Sequence, residues 1–115
     1  MAQLNIKQRQ AGDVAILDLE GEVRMGDSAT SLRGAIRGLV AGGNQKILLN
    51  LAGVKYIDSS GIGELIANYT TVGRGGGQMK LLNLTDKVQD LLVITKLLTV
   101  FDVYEEEAEA LSSFK

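Results

Sequence analysis

Neither cysteine nor histidine occurs among the 115 residues. Without cysteine there are no disulfides, no thiolate metal sites and no thiol nucleophile. Without histidine there is no imidazole base and no imidazole ligand, so the common nucleophile–base pairs cannot be assembled. Carboxylates remain, but they form no recognisable ligand cluster. A protein that is not an enzyme, with no metal and no cofactor, is the expectation. Long apolar runs are missing too. No stretch approaches the ~18 apolar residues of a membrane span, and Met1–Lys7 lacks the apolar core of a signal peptide. A cytoplasmic chain with no membrane insertion follows, and the lack of cysteine suits a reducing compartment. Lys and Arg are scattered and the formal net charge is −2. That gives no basic footprint, so no direct contact with nucleic acid is expected.

What is present suits one domain spanning 1–115. A hydrophobic fraction of 45% is enough for a packed core. Proline is absent, and glycines punctuate the elements. Leu4-Asn5-Ile6-Lys7 alternates as a half-buried strand does, Ala11-Gly12-Asp13 reads as a turn, and Val14–Leu19 reads as an antiparallel partner. Gly21–Gly26 looks irregular. A helix capped by Asp27 or Ser28 follows, with Leu32, Ile36, Leu39 and Val40 on one stripe and Arg33 and Arg37 off it. Gly42-Gly43 ends it.

Ile47–Leu51 is nearly continuous apolar sequence, as in a buried parallel strand. Tyr56–Gly61 leads into a second helix that buries Ile62, Leu65, Ile66, Tyr69 and Val72 and stops at Gly73–Gly77. Met79–Leu84 is a further strand. Thr85-Asp86 caps a third helix burying Val88, Leu91 and Leu92. Phe101–Tyr104 fits a short last strand, and Glu105–Phe114 a terminal helix with acids in its first turn. The fold class is α/β: a mixed β-sheet with an N-terminal antiparallel pair, followed by alternating helices and strands.

Two glycine-rich stretches fail as nucleotide loops. Gly61-Ile62-Gly63 has Ile66 where the dinucleotide fingerprint needs its third glycine. Gly75-Gly76-Gly77-Gln78-Met79-Lys80 lacks the Gly-Lys-Ser/Thr of a phosphate loop. The informative segment is Asp58-Ser59-Ser60-Gly61-Ile62-Gly63, at the junction of an apolar strand and an amphipathic helix. One reading is structural: Asp58, Ser59 or Ser60 caps the helix, and Gly61 permits close packing. The other uses the same geometry for modification. A hydroxyl on that connection is reachable by a kinase, and a phosphate there meets unpaired helix N–H groups beside Asp58.

Tyr56-Ile57-Asp58-Ser59-Ser60-Gly61-Ile62-Gly63-Glu64-Leu65 resembles the Asp-Ser-Ser/Thr-Gly-Leu-Gly signature of anti-anti-sigma factors, the STAS domain family. The likeness covers most of the chain. Val14–Gly21, Lys46–Leu51 and Lys80–Leu84 are similar to the family's strands, and Leu97–Glu105 to its closing segment. The resemblance implies an anti-sigma factor antagonist that binds an ATPase-type anti-sigma factor Ser/Thr kinase when unphosphorylated, which frees a sigma factor. It implies phosphorylation of Ser59 by that kinase and resetting by a Ser/Thr phosphatase. Asp58 then shapes the site, and Ser60 and Gly61 start the helix.

One region departs from the pattern. Gly21-Glu22-Val23-Arg24-Met25-Gly26-Asp27 places Arg24 near the family's usual acid, with one extra residue. Arg24 either meets a phosphate on Ser59 or is merely solvated. Glu105-Glu106-Glu107 reads as an exposed helix start. The alternative function is a STAS subunit of a membrane lipid-transport or other transporter complex, which need not keep a phosphorylatable serine.

Overall fold

Side chains that alternate along a strand must find two different environments. In the computed structural model, which describes residues 4–114, both environments are built around one mixed sheet. Met1–Gln3, part of the segment read above for a signal peptide, lie outside the described residues, as does Lys115. The strands are β1 (Leu4–Ala11), β2 (Val14–Val23), β3 (Lys46–Ile57), β4 (Gln78–Leu82) and β5 (Val103–Tyr104), in the spatial order β1-β2-β3-β4-β5. β1 and β2 form an antiparallel hairpin that turns through Gly12 at φ 60°, a backbone state that glycine adopts without penalty. The other pairs are parallel. Parallel neighbours need long crossovers, which α1 (Asp27–Ala41), α2 (Ser59–Arg74) and α3 (Asp86–Ile94) supply. A short 3₁₀ turn at Leu98–Val100 precedes β5, and α4 (Glu107–Ser113) follows it.

The two sheet faces are unequal. Ala15, Leu17 and Leu19 of β2, with Ile47, Leu49 and Leu51 of β3, meet the apolar stripes of the three crossover helices in the main core. Each of the Leu and Ile side chains contributes about 1.5–3 kcal/mol of burial free energy. The opposite face is apolar only where α4 lies on it: Val14, Ile16, Leu48 and Leu82 pack with Ala110 and Phe114. Further along the same face the residues turn polar. Arg9 donates to both oxygens of Asp18, at 2.5 and 2.9 Å, and Asn50 donates to Asp18 at 2.8 Å.

Four expectations need correction. β2 does not stop at Leu19 before an irregular Gly21–Gly26; it runs to Val23, because Glu22 and Val23 pair with Tyr56 and Ile57 after register shifts in the ladder. The cap of α1 is neither Asp27 nor Ser28 but Gly26, at φ 101°, with no side-chain capping bond. The Ser28 hydroxyl turns back instead, accepting from the Arg24 N–H and donating to the Arg24 carbonyl, both at 2.9 Å. β4 ends at Leu82, since Asn83 adopts φ 56° and leaves the strand. Finally, α4 starts at Glu107, and Glu107 is not a free acid of the helix start: its carboxylate accepts from Arg9 at 2.8 and 3.2 Å.

Candidate functional site

The C-terminal end of β3 delivers the chain into α2 within one residue. Asp58 has extended backbone and is the N-cap; its carboxylate accepts from the Gly61 N–H at 2.8 Å. The helix proper begins with the Ile62 N–H donating to the Asp58 carbonyl at 3.0 Å. Ser59 and Ser60 are therefore the first two helical residues, and both are exposed. The capping role that the sequence leaves open among Asp58, Ser59 and Ser60 falls to Asp58. Both hydroxyls are left outside the capping bond, at a terminus where the first-turn N–H groups favour negative charge.

Gly61 fixes the seat of this turn. The Asp58 N–H donates to the Val23 carbonyl at 3.4 Å, and Gly61 is buried directly on the same strand end. A Cβ on Gly61 would press into the Val23 carbonyl oxygen and lie 2.7 Å from Ile57 Cγ1. Only glycine permits that approach. By contrast, a Cβ on Gly63 would meet nothing within 4 Å.

Arg24 leaves β2 two residues before the α1 cap. Its guanidinium carbon lies 4.4 Å from the Tyr56 ring centroid, and its Nε is 3.0 Å from a Glu22 carboxylate oxygen. Lys87, at the start of α3, places its ammonium 5.3 Å from the same ring. Arg24 is thus held by an aromatic face and a neighbouring acid, with its side chain still 42% exposed. Asp58, Ser59, Ser60 and Gly61 share one turn; Arg24 belongs to the adjoining strand end.

The signature helix also carries an ion pair that the sequence reading did not find. Glu64 is 6% exposed. Arg33 of α1 donates to it through Nε at 3.1 Å and Nη2 at 2.6 Å. Asn68 donates to the Glu64 carboxylate at 3.0 Å and to its backbone carbonyl at 2.9 Å. The carboxylate raises the affinity of the Arg33 guanidinium for its proton, chiefly through this hydrogen bonding. Arg33 precedes Glu64 by 31 residues, so no local spacing announces the pair.

The site holds no base or nucleophile assembly. Among the described residues no cluster of three or more Asp, Glu, His or Cys side chains could hold a metal ion. What the turn offers is two exposed hydroxyls, of Ser59 and Ser60, at a helix N-terminus.

The model of the STAS domain matches residues 5–110. The chain belongs to the STAS domain family. Curated relatives include an anti-sigma-B factor antagonist of Bacillus subtilis, 29% identical over 100 residues, covering 87% of this chain and 90% of that protein. An anti-sigma F factor antagonist of Paenibacillus polymyxa is 28% identical over 71 residues, covering 62% of this chain; the match spans about three fifths of that protein, 61% of its length. Among solved structures, an anti-sigma factor antagonist from Mycobacterium paratuberculosis superposes with a TM-score of 0.85 at 22% identity, covering 97% of this chain and 94% of that one. The phosphorylated form of the Bacillus cell fate determinant SpoIIAA superposes with a TM-score of 0.73 at 19% identity, covering 94% of this chain and 97% of that one. These superpositions establish the STAS fold. No helix among the described residues is long and apolar enough to cross a membrane.

Proposed function

We propose that the protein is an anti-sigma factor antagonist whose partner binding is switched by phosphorylation of Ser59. The observation that carries the proposal is the exposed Ser59 in the first turn of α2, directly after the Asp58 cap. Unphosphorylated, the domain binds an ATPase-type anti-sigma factor kinase and frees a sigma factor. The kinase phosphorylates Ser59, and a Ser/Thr phosphatase restores the binding form. The names of the two curated relatives support the partner class, and Asp58-Ser59-Ser60-Gly61 supports the position.

The physics of the switch is local. Phosphate on Ser59 adds a charge of about −1.5 to −2 beside Asp58, on a surface the partner must desolvate. Like charges brought together at an interface can cost several kcal/mol, and each ~1.4 kcal/mol is tenfold in affinity. The dipole of α2 offsets part of that charge within the domain, so folding suffers less than binding.

The test begins with capture of partners from native lysate. Calorimetry then compares wild type, Ser59→Ala, Ser59→Asp and phosphorylated protein against the captured kinase. Because Asp58 makes the capping bond, Ser59→Ala should change stability by no more than about 0.5 kcal/mol and keep wild-type affinity. Ser59→Asp should bind more weakly, and phosphoserine more weakly still. Phosphate found chiefly on Ser60 or Thr70 would remove the assignment; equal affinity of the phosphorylated form would remove the switch.

A further inference from the structure

We infer that Arg33, Glu64 and Asn68 are positioning residues for the Ser59 turn, an inference that rests on the switch reading above for its consequence but not for its geometry. Glu64 is a charged side chain with almost no solvent contact. Such groups are tolerated only when paired and hydrogen-bonded. Here one carboxylate oxygen takes Arg33 Nη2, and the other takes Arg33 Nε and Asn68. A bidentate fork specifies direction as well as charge. The Asn68 side chain also bonds the Glu64 carbonyl, which ties the fork to the helix backbone.

Glu64 follows Ser59 by five residues, about 7.5 Å along the helix axis. The first turns of α2 are therefore held from two directions. Gly61 seats the turn on the end of β2, and Glu64 fixes how α2 is rotated against α1. The Arg33 side chain is 45% exposed, so the pair is half-buried and gives little net stability; its distinctive contribution here is geometry. Phosphoryl transfer depends on that geometry, because a displacement of ~1 Å at a reacting hydroxyl can cost about a hundredfold in rate.

The test uses the full chain with Arg33→Met/Glu64→Met, which removes the fork without stranding a charge, and Arg33→Lys, which keeps the charge but cannot fork. Three quantities are compared with wild type: thermal melting, the ¹⁵N–¹H resonances of Ser59, Ser60 and Gly61, and kcat and KM for Ser59 phosphorylation by the kinase captured with wild type. The double variant should melt close to wild type, with those three resonances displaced. Its kcat should fall about tenfold or more, with KM little changed, as expected for a misplaced acceptor. Arg33→Lys should move the same resonances in the same direction by less, and it decides the matter alone if the double variant does not fold. Unmoved resonances in a folded variant would overturn the positioning. Moved resonances with wild-type kcat would overturn its part in the switch. Failure of the kinase to phosphorylate wild type would count against the functional reading only, since the resonances still decide the geometry.

Discussion

Gly61 and Gly63 stand two positions apart on the same helix and should answer opposite ways to the same methyl group. At Gly61 the added Cβ meets the Val23 carbonyl and Ile57, and backbone cannot yield as a side chain tip can. Gly61→Ala should destabilise by about 3 kcal/mol, the upper end of overpacking costs, and should displace the Ser59 turn. At Gly63 the methyl group enters open space, and the helix gains up to about 1 kcal/mol from the better propensity of alanine. Urea melts of the two variants check both signs. Asp58→Ala belongs with them: loss of the bond to the Gly61 N–H should cost about 0.5–2 kcal/mol, clearly more than Ser59→Ala.

At the scale of elements, α4 is the one most dependent on charge. It is seven residues long, too short to hold its shape alone. Glu107, its first residue, grips Arg9. Near its other end the buried Lys80 ammonium donates to the Ser113 hydroxyl at 3.0 Å and to the Ser113 carbonyl at 3.1 Å, against the rings of Tyr104 and Phe114. The Arg9 guanidinium, by hydrogen bonding, holds the Asp18 and Glu107 carboxyls below their usual range. The unfolded chain therefore binds protons at these groups more readily than the folded one. Their contribution is complete above the unfolded values of about 3.9 and 4.3 and is lost as pH falls through the lower folded values. Thermal melts from about pH 6 to pH 2 should show that acid loss in wild type. In Arg9→Met the neutral-pH melting temperature should drop and the acid limb should flatten.

The same elements show what a sequence can and cannot disclose. The strands and crossovers were legible because apolar periodicity is local, and the Thr85 cap was legible because its hydroxyl accepts from the Val88 N–H only three residues on. The extension of β2 through Gly21-Glu22-Val23 was not. Glycine between acids reads as a turn, and only the partner residues Val54, Tyr56 and Ile57 make it a strand. The candidate turn at Asp58–Gly61 was legible from its motif. The Arg33–Glu64 fork, the Arg9–Glu107 latch and the stacking of Arg24 on Tyr56 join distant segments and have no local signature.

For the whole molecule, an uninterrupted strand order ranks the elements by how they are buttressed. β3 has a parallel neighbour on both sides, and Ile47, Leu48 and Leu49 are 0% exposed. Its amides should exchange with solvent only on global unfolding, while α4 and the outer edge of β1 open at lower free energy. Native-state hydrogen exchange by NMR would order them; an α4 as protected as β3 would contradict the picture. The absence of a phosphate loop also predicts that the isolated domain leaves ATP unbound at micromolar nucleotide, which equilibrium dialysis would check.

The direction of β3 has a practical meaning. Leu48 lies level with Lys80, the residue that donates to Ser113. Ser59 comes after the far end of that strand, and the ten residues of strand from Leu48 to Ile57 span roughly 30 Å. The two sites therefore sit at opposite poles of the sheet. Leu4, paired with Gly21, sits instead at the pole of Ser59. A dye, a biotin or a surface linker joined after Phe114 would leave the Ser59 turn facing solution. The same handle placed before Leu4 would crowd it, so the choice of anchoring end decides whether an immobilised sample can report on the switch.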